Sequence, residues 1–361
     1  MYSQTRSPDF SGQELYVGID THKKNWKVTV RTRDTHIKTF SMEPSPEKLN
    51  NHLTQHYPKG TYRSTYEAGF CGYWIHRKLK SYNIDNIIVN PADVPSTNKE
   101  RDRKSDPIDS AKLSRELANH SLTGIFVPDV HQEALRNLHR VYEQNTQRTT
   151  QIKNRIKGYL HFTGIKLPEE FDKPCWSNNF LKFLLEIPFT EPLNRSIMNS
   201  HITDLNLARQ KRSEILQEIR TVSKEVPEIH LISTVPGIGL LTAFTLYSEL
   251  VDINRFRNFD HLASYVGLVP STHSSDTTVL VGGVTRRHCT HLRSTLIECA
   301  WVAIRNDEAL LCAYNKLTKH MKKTAAIIRI AKKLLNRIRF VWKSKTEYVK
   351  GIVAIELVAK T

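Results

Sequence analysis

The sequence predicts an α/β fold in three parts: a strand-rich N-terminal domain over residues 1–125, a helical middle over 126–228, and a mainly α-helical C-terminal domain over 229–361. Three observations predict it. Short apolar runs with strand patterning recur, with helical patterns between them, as far as residue 125. Strand signals then vanish from about 131 to 225, where long polar helical stretches dominate. Apolar content returns from residue 230, in helical segments separated by Gly- and Pro-containing turns.

LYVGID at 15–20 is a short apolar run ending in an acid, and WKVTVRT at 26–32 alternates Trp26, Val28 and Val30 with polar residues, as a half-buried strand does. THKKN between them predicts a hairpin. HIKTF at 36–40 is a third extended piece. In the following SPEKLNNHLTQH, Ser45 is placed to cap a helix with Pro46 at its first position and Leu49 and Leu53 on one face. YRSTYEA at 62–68, a helix carrying Trp74, Ile75 and Leu79, and the buried strand NIIVNP at 86–91 complete the order βββαβαβ. After the polar stretch ADVPSTNKERDRKS, SDPIDSAKLSREL predicts a helix capped by Ser105 or Asp106 and carrying Ile108, Leu113 and Leu117. That order is the order of an RNase H-like domain.

In the middle, Ile215, Ile219, Val222 and Val226 show four-three-four spacing, which predicts a helical pair or short coiled coil. Such an arm serves equally as a solvated connector or as a dimerisation or clasping element. TVPGIGLLTAFTLYSEL matches a helix-hairpin-helix pattern, and PSTHSSDTTVLVGGVTRRH reads as a Ser-, Thr- and Gly-rich loop. KKTAAIIRIAKKLLNRIRFVWKSK at 322–345 is a basic amphipathic helix, suited either to phosphates or to packing on its own domain with solvated lysines.

Lys and Arg outnumber Asp and Glu by 53 to 36, a net charge of +17, which favours a polyanionic partner through counterion release. Nucleic acid leads. No run approaches the roughly 20 apolar residues of a membrane span, and the N-terminus lacks the apolar core of a signal peptide, so a soluble, intracellular protein is expected. Cys71, Cys175, Cys289, Cys299 and Cys312 are scattered without CxxC spacing, which indicates neither a zinc ribbon nor a disulfide framework.

The chemistry concentrates in acids. Asp20 closes the first strand, Glu67 lies near the end of the fourth, and Asp106 and Asp109 lie one helical turn apart at a helix start. The first and fourth strands are neighbours in this fold, so the two strand acids project together. A three-residue spacing sets the two later aspartates on one helix face. Four carboxylates gathered this closely require cations. Two Mg²⁺ or Mn²⁺ ions about 4 Å apart would neutralise them and serve an in-line phosphoryl displacement. Taken singly, an acid of this kind reads better as a cap or a surface charge, and Asp102 and Glu100 stand nearby in a basic stretch. His22, Lys23 and Lys24 follow Asp20 in a turn that can approach a phosphate.

In the C-terminal domain, Pro236, Gly237 and Gly239 let the backbone turn so that amide N–H groups can meet a phosphate, unless the turn packs internally. Ser271, Ser274 and Ser275 precede Gly282 and Gly283, with Arg286, Arg287 and Arg293 following. A serine beside arginines can attack a phosphodiester while the arginines stabilise charge on the phosphoryl oxygens.

Through YVGIDTHKKNWKVTV, TYEAG, KSDPIDSAKL, VPGIG, FRNFDHLASYVGLVPSTHSS and GGVTRRH, nearly the whole chain resembles the insertion-sequence transposases that join an N-terminal DEDD, resolvase-like domain to a C-terminal transposase domain, relatives of pilin-gene invertases. The resemblance implies that Asp20, Glu67, Asp106 and Asp109 are the metal-binding tetrad. It also implies that a serine after VGLVP links covalently to DNA. That position matches Ser275, with Ser274 as the alternative, although Asp276 and Thr277 replace the usual glycines and His288 stands where a later motif has glycine. It further implies DNA partners (element ends and target), a structured guide RNA encoded by the element, a homo-oligomer (dimer or tetramer) in which one protomer's serine domain completes another's acidic site, and a cytoplasmic, nucleoid-associated setting in a bacterium or archaeon.

The expected activity is site-specific recombination through a phosphoserine link. Two other readings stand beside it: a metal-dependent, junction-resolving nuclease using water, and a nucleic-acid-binding protein without catalysis.

Overall fold

The computed structural model describes residues 9–95, 106–171, 176–275, 278–284 and 290–350, with backbone only for Asp106, Pro107, 270–275, 278–284 and Thr290. The chain divides into two compact units, Met1–Val127 and Pro128–Thr361.

The first unit contains β1 (Glu14–Thr21), β2 (Trp26–Arg31), β3 (His36–Met42), α1 (Pro46–His56), β4 (Thr61–Glu67), α2 (Trp74–Ser81), β5 (Asp85–Val89) and α3 (Asp106–Ala118). Its sheet has the order β3-β2-β1-β4-β5, with β1 antiparallel to β2 and parallel to β4, and β4 parallel to β5. This is the predicted RNase H-like arrangement. The period of two along β1 decides what lies on each face. Leu15, Val17 and Ile19 join Trp26, Val28, Leu49, Leu53, Ile75 and Leu79 in a core under α1 and α2. Tyr16, on the other face, packs with Leu117 and Ala118 of α3. Both faces are covered, which is why LYVGI reads as an uninterrupted apolar run. Ser45 caps α1 as expected, its hydroxyl accepting from the Lys48 N–H at 3.2 Å behind Pro46.

In the second unit α4 (Val130–Phe162), α5 (Asn178–Glu186) and α6 (Pro192–Glu225) form the helical arm. The arm has two cores. At its far end Ile152, Ile156, Trp176, Phe180, Leu184 and Met198 pack together, and the Tyr159 hydroxyl, late in α4, donates to Asn194 Oδ1, early in α6, at 2.7 Å. At its root Leu135 of α4 and Ile219 of α6 share a core with Ile229 and Phe244, so α4 and α6 run antiparallel. The sequence boundary at 228 therefore falls within one continuous core.

Beyond the arm come α7 (Pro227–Ser233), α8 (Leu240–Leu250), α9 (Phe259–Val266), β6 (Pro270–Ser275), β7 (Thr278–Val284), α10 (Thr290–Asn306), α11 (Glu308–Thr318) and α12 (Lys323–Ser344). One sequence reading changes here, and one that was left open falls to packing. The segment read as a Ser/Thr/Gly loop is an antiparallel β6–β7 hairpin with Ser275 paired to Thr278. The β-branched alternation in TTVLV outweighs the loop-like composition. The basic helix α12 packs inward through Ile327, Ile330, Leu334, Leu335, Ile338 and Trp342, so its apolar stripe is core. Among the described residues no helix is long and apolar enough to cross a membrane.

Candidate active site

Sheet register brings the strand acids together. β1 and β4 align with Ile19 opposite Tyr66, so Asp20 and Glu67 follow on adjacent parallel strands. Tyr66 belongs to the core under α2, which turns its neighbour Glu67 to the opposite face; Ile19 does the same for Asp20. Both acids therefore lie on the face that α3 covers.

α3 approaches that face closely because residue 18 is glycine. A Cβ at Gly18 would stand 2.1 Å from the Ser110 carbonyl oxygen and 2.5 Å from the Ser114 nitrogen, so any side chain there pushes the helix away. Beside this contact the Ser110 hydroxyl meets the Thr29 hydroxyl at 2.9 Å in the buried seam, which fixes the helix on the sheet next to Asp109. On the other side, the Tyr66 hydroxyl donates to the Gly72 carbonyl at 3.1 Å and accepts from the His76 N–H at 3.3 Å, anchoring the turn that follows Glu67. Burial raises the Tyr66 phenol well above its ordinary pKa, so it remains a neutral donor.

The helix delivers Asp109 to the strand acids with a cation already among them. Lys112 Nζ lies 3.6 Å from Asp109 Oδ1 and 3.9 Å from Glu67 Oε1. Lys112 is the member that sequence reasoning missed, although its place one turn after Asp109 on the same face was legible. Its side chain is 10% exposed, whereas those of Asp109 and Glu67 are 25% and 35% exposed. The lysine is thus an inner prop and the carboxylates open outward. His22 Nε2 stands 3.2 Å from Asp20 Oδ2, at the rim. Asp106 begins α3, one turn before Asp109; its side chain, Glu100 and Asp102 lie outside the described residues. Carboxylate oxygens on one face are donors of the kind a hard divalent cation takes, and Lys112 sets one positive charge between Glu67 and Asp109.

The second unit places its predicted residues separately. Pro236 is buried, and Gly237 adopts φ +84°, where an added Cβ would lie 2.5 Å from the Cys299 carbonyl oxygen in α10. These two residues build the turn by internal packing. Gly239 differs: it caps α8 with no side-chain bond, and a Cβ added there would meet nothing within 4 Å. Beside the α8 N-terminus is a cavity of about 550 Å³ lined by Arg220, Lys224, His230 and Leu240. Cationic side chains around open helix amides favour an anion. Ser275 ends β6, Arg293 is half-buried in α10, and Arg286, Arg287 and the side chains of Ser271, Ser274 and Ser275 lie outside the described residues.

The five-stranded sheet, with carboxylates at the ends of β1 and β4 and α3 across one face, is that of an RNase H-like domain. A family described as “Transposase”, of the DEDD IS110 type, matches residues 17–165, and one described as “Transposase IS116/IS110/IS902 family” matches residues 229–315. The chain belongs to this family of insertion-sequence transposases. “Putative transposase y4qE” of Sinorhizobium fredii is 27% identical over 80% of this chain and 72% of its own length. “Transposase for insertion sequence element IS1111A” of Coxiella burnetii is 23% identical over 66% of this chain and 65% of its own length.

Proposed function

We propose that the protein recombines DNA at the ends of its insertion sequence by serine transesterification at a divalent-metal centre held by Asp20, Glu67, Asp106 and Asp109. The observation that carries this reading is the gathering of Asp20, Glu67 and Asp109 on one face of the sheet, under the helix that Gly18 admits. Mg²⁺ or Mn²⁺, two ions with four carboxylates, would supply charge neutralisation at the attacking and leaving oxygens.

The chain's own residues carry the rest. Lys112 holds Glu67 and Asp109 in place from beneath. His22 at the rim accepts or donates a proton beside Asp20. Ser275, with Ser274 as the alternative, attacks phosphorus: its Oγ–H bond breaks, an Oγ–P bond forms, and the P–O bond to the departing deoxyribose hydroxyl breaks as that oxygen takes up a proton. The reverse exchange by a hydroxyl of the incoming strand restores the phosphodiester without an external energy source. Arg286, Arg287 and Arg293 stabilise charge on the phosphoryl oxygens. Gly239 and the cations around it grip backbone phosphate without reading sequence.

The acids lie in residues 1–127 and the serine in residues 128–361, which suits an oligomer, dimer or tetramer, that pairs the two halves between protomers. The +17 charge supports both DNA and a structured guide RNA as partners. Because the acids belong to one unit by themselves, hydrolysis by water at that unit is the second reading.

Incubation of the protein and co-expressed flanking RNA with labelled element-end and target DNA tests the activity. Joined product with Mg²⁺, absent with chelator and with Asp20→Ala, is expected. Joining that survives Asp20→Ala would remove the acids from the mechanism.

A further inference from the structure

Away from the acidic face, the second unit brings together two imidazoles and a carboxylate. Ligating atoms of His139, Glu143 and His291 all lie within 4.8 Å of one another. His139 and Glu143 are four apart on α4, one turn along the same face, and His291 is at the start of α10. We propose that these three residues bind a zinc ion that clasps α4 to α10.

The hydrogen bonds set the ligands up. The Thr245 hydroxyl donates its one proton to the Leu241 carbonyl at 2.8 Å, so it can only accept from His139 Nε2, 2.7 Å away. That fixes His139 as the Nε2–H tautomer and leaves the Nδ1 lone pair for a metal. A ring N–H held by an outer partner is how metal-binding histidines are oriented.

His291 supplies the second line of evidence. Its Nε2 is buried 3.2 Å from Glu143 Oε1, yet it makes no hydrogen bond. Two ligand atoms each about 2.0–2.1 Å from a tetrahedral zinc stand roughly 3.3 Å apart without pointing at each other. The pair has that separation and that misalignment. Glu249, the neighbouring carboxylate, is held by Arg136 at 3.2 Å and Arg140 at 3.7 Å, which leaves Glu143 to the two imidazoles. Two nitrogens and one oxygen without thiolate suit Zn²⁺ and leave a fourth position for solvent. Because α10 follows the β6–β7 hairpin, the clasp sets where the serine-bearing segment returns to the helical core.

The test uses full-length protein stripped with chelator and titrated with ZnCl₂ by calorimetry, with zinc content read by mass spectrometry and Co²⁺ absorption as a coordination signature. Asp20→Asn removes a ligand of the acidic face and so separates the two sites. One zinc per chain, kept in Asp20→Asn and weakened at least about tenfold in both His291→Ala and Glu143→Gln, is expected. Both substituted side chains are partly exposed, so neither substitution empties a core position. No zinc in the wild type, or equal zinc affinity in wild type and the folded variants, overturns the proposal.

Discussion

Gly18 and Ser110 meet backbone to backbone: a Cβ on the glycine would lie 2.1 Å from the serine carbonyl oxygen. This contact seats α3 on β1 two residues before Asp20, so the spacing of the carboxylates depends on a position that carries no charge. Gly18→Ala should cost about 1–3 kcal/mol through overpacking and separate Asp109 from Glu67. Thermal melting and Mg²⁺ titration of the full chain check it, and a variant with wild-type melting and metal affinity would contradict it.

Lys112 and a divalent ion serve the same carboxylates. With Lys112→Met, Glu67 and Asp109 lose their buried cation, and the metal-free protein should lose about 1–2 kcal/mol, a figure reduced for the partial exposure of the acids. Added Mg²⁺ should then raise the melting temperature by more than it does in wild type. Differential scanning calorimetry with and without Mg²⁺ reads both effects.

Gly237 and Gly239 are predicted to part company. Gly237→Ala places a Cβ against the Cys299 carbonyl at a φ of +84°, and should destabilise the second unit by about 1–3 kcal/mol. Gly239→Ala meets open space and should cost about 1 kcal/mol or less through a weaker helix cap. If the α8 terminus grips phosphate, Arg220→Ala should weaken DNA binding uniformly across sequences and flatten its salt dependence, as measured by anisotropy at several salt concentrations.

Asp307 carries a pH dependence. It caps α11, accepting from the Leu310 N–H at 2.8 Å, and also takes Arg337 at 2.8 Å and the Tyr348 hydroxyl at 2.6 Å. Burial alone would raise its pKa; these three donors outweigh it and hold the carboxyl below the usual range. A depressed folded pKa contributes stability above the unfolded value near 3.9, and that stability is lost as pH falls through the folded pKa. Asp307→Asn should therefore cost about 1–3 kcal/mol at pH 7, with the gap to wild type closing in acid below the ordinary aspartate range. Melting curves from pH 7 downward measure it; a gap constant with pH would show that the charge does not contribute.

The sheet was legible because alternating and continuous apolar runs on β1, β2 and β5 each have one solution in period and burial. Asp20, Glu67 and Asp109 were legible because that order of elements fixes which strands adjoin. Lys112 escaped notice because its value depends on how far its side chain reaches beneath two carboxylates, which spacing does not state. The β6–β7 hairpin was masked by Ser, Thr and Gly, whose turn preference local composition overstates. His139 and Glu143 share a visible four-residue spacing, but their convergence with His291 is a tertiary event that no local pattern records.

The most direct measurement is a denaturing gel of labelled junction DNA after incubation with Mg²⁺, RNA and protein, comparing wild type with Ser275→Ala, Ser274→Ala and Asp20→Ala. Serine transesterification at the acidic face predicts a protein–DNA adduct in wild type that is lost in Asp20→Ala and in one of the two serine variants. Cleaved DNA free of protein, formed equally by wild type and both serine variants, would contradict it and assign the attack to water.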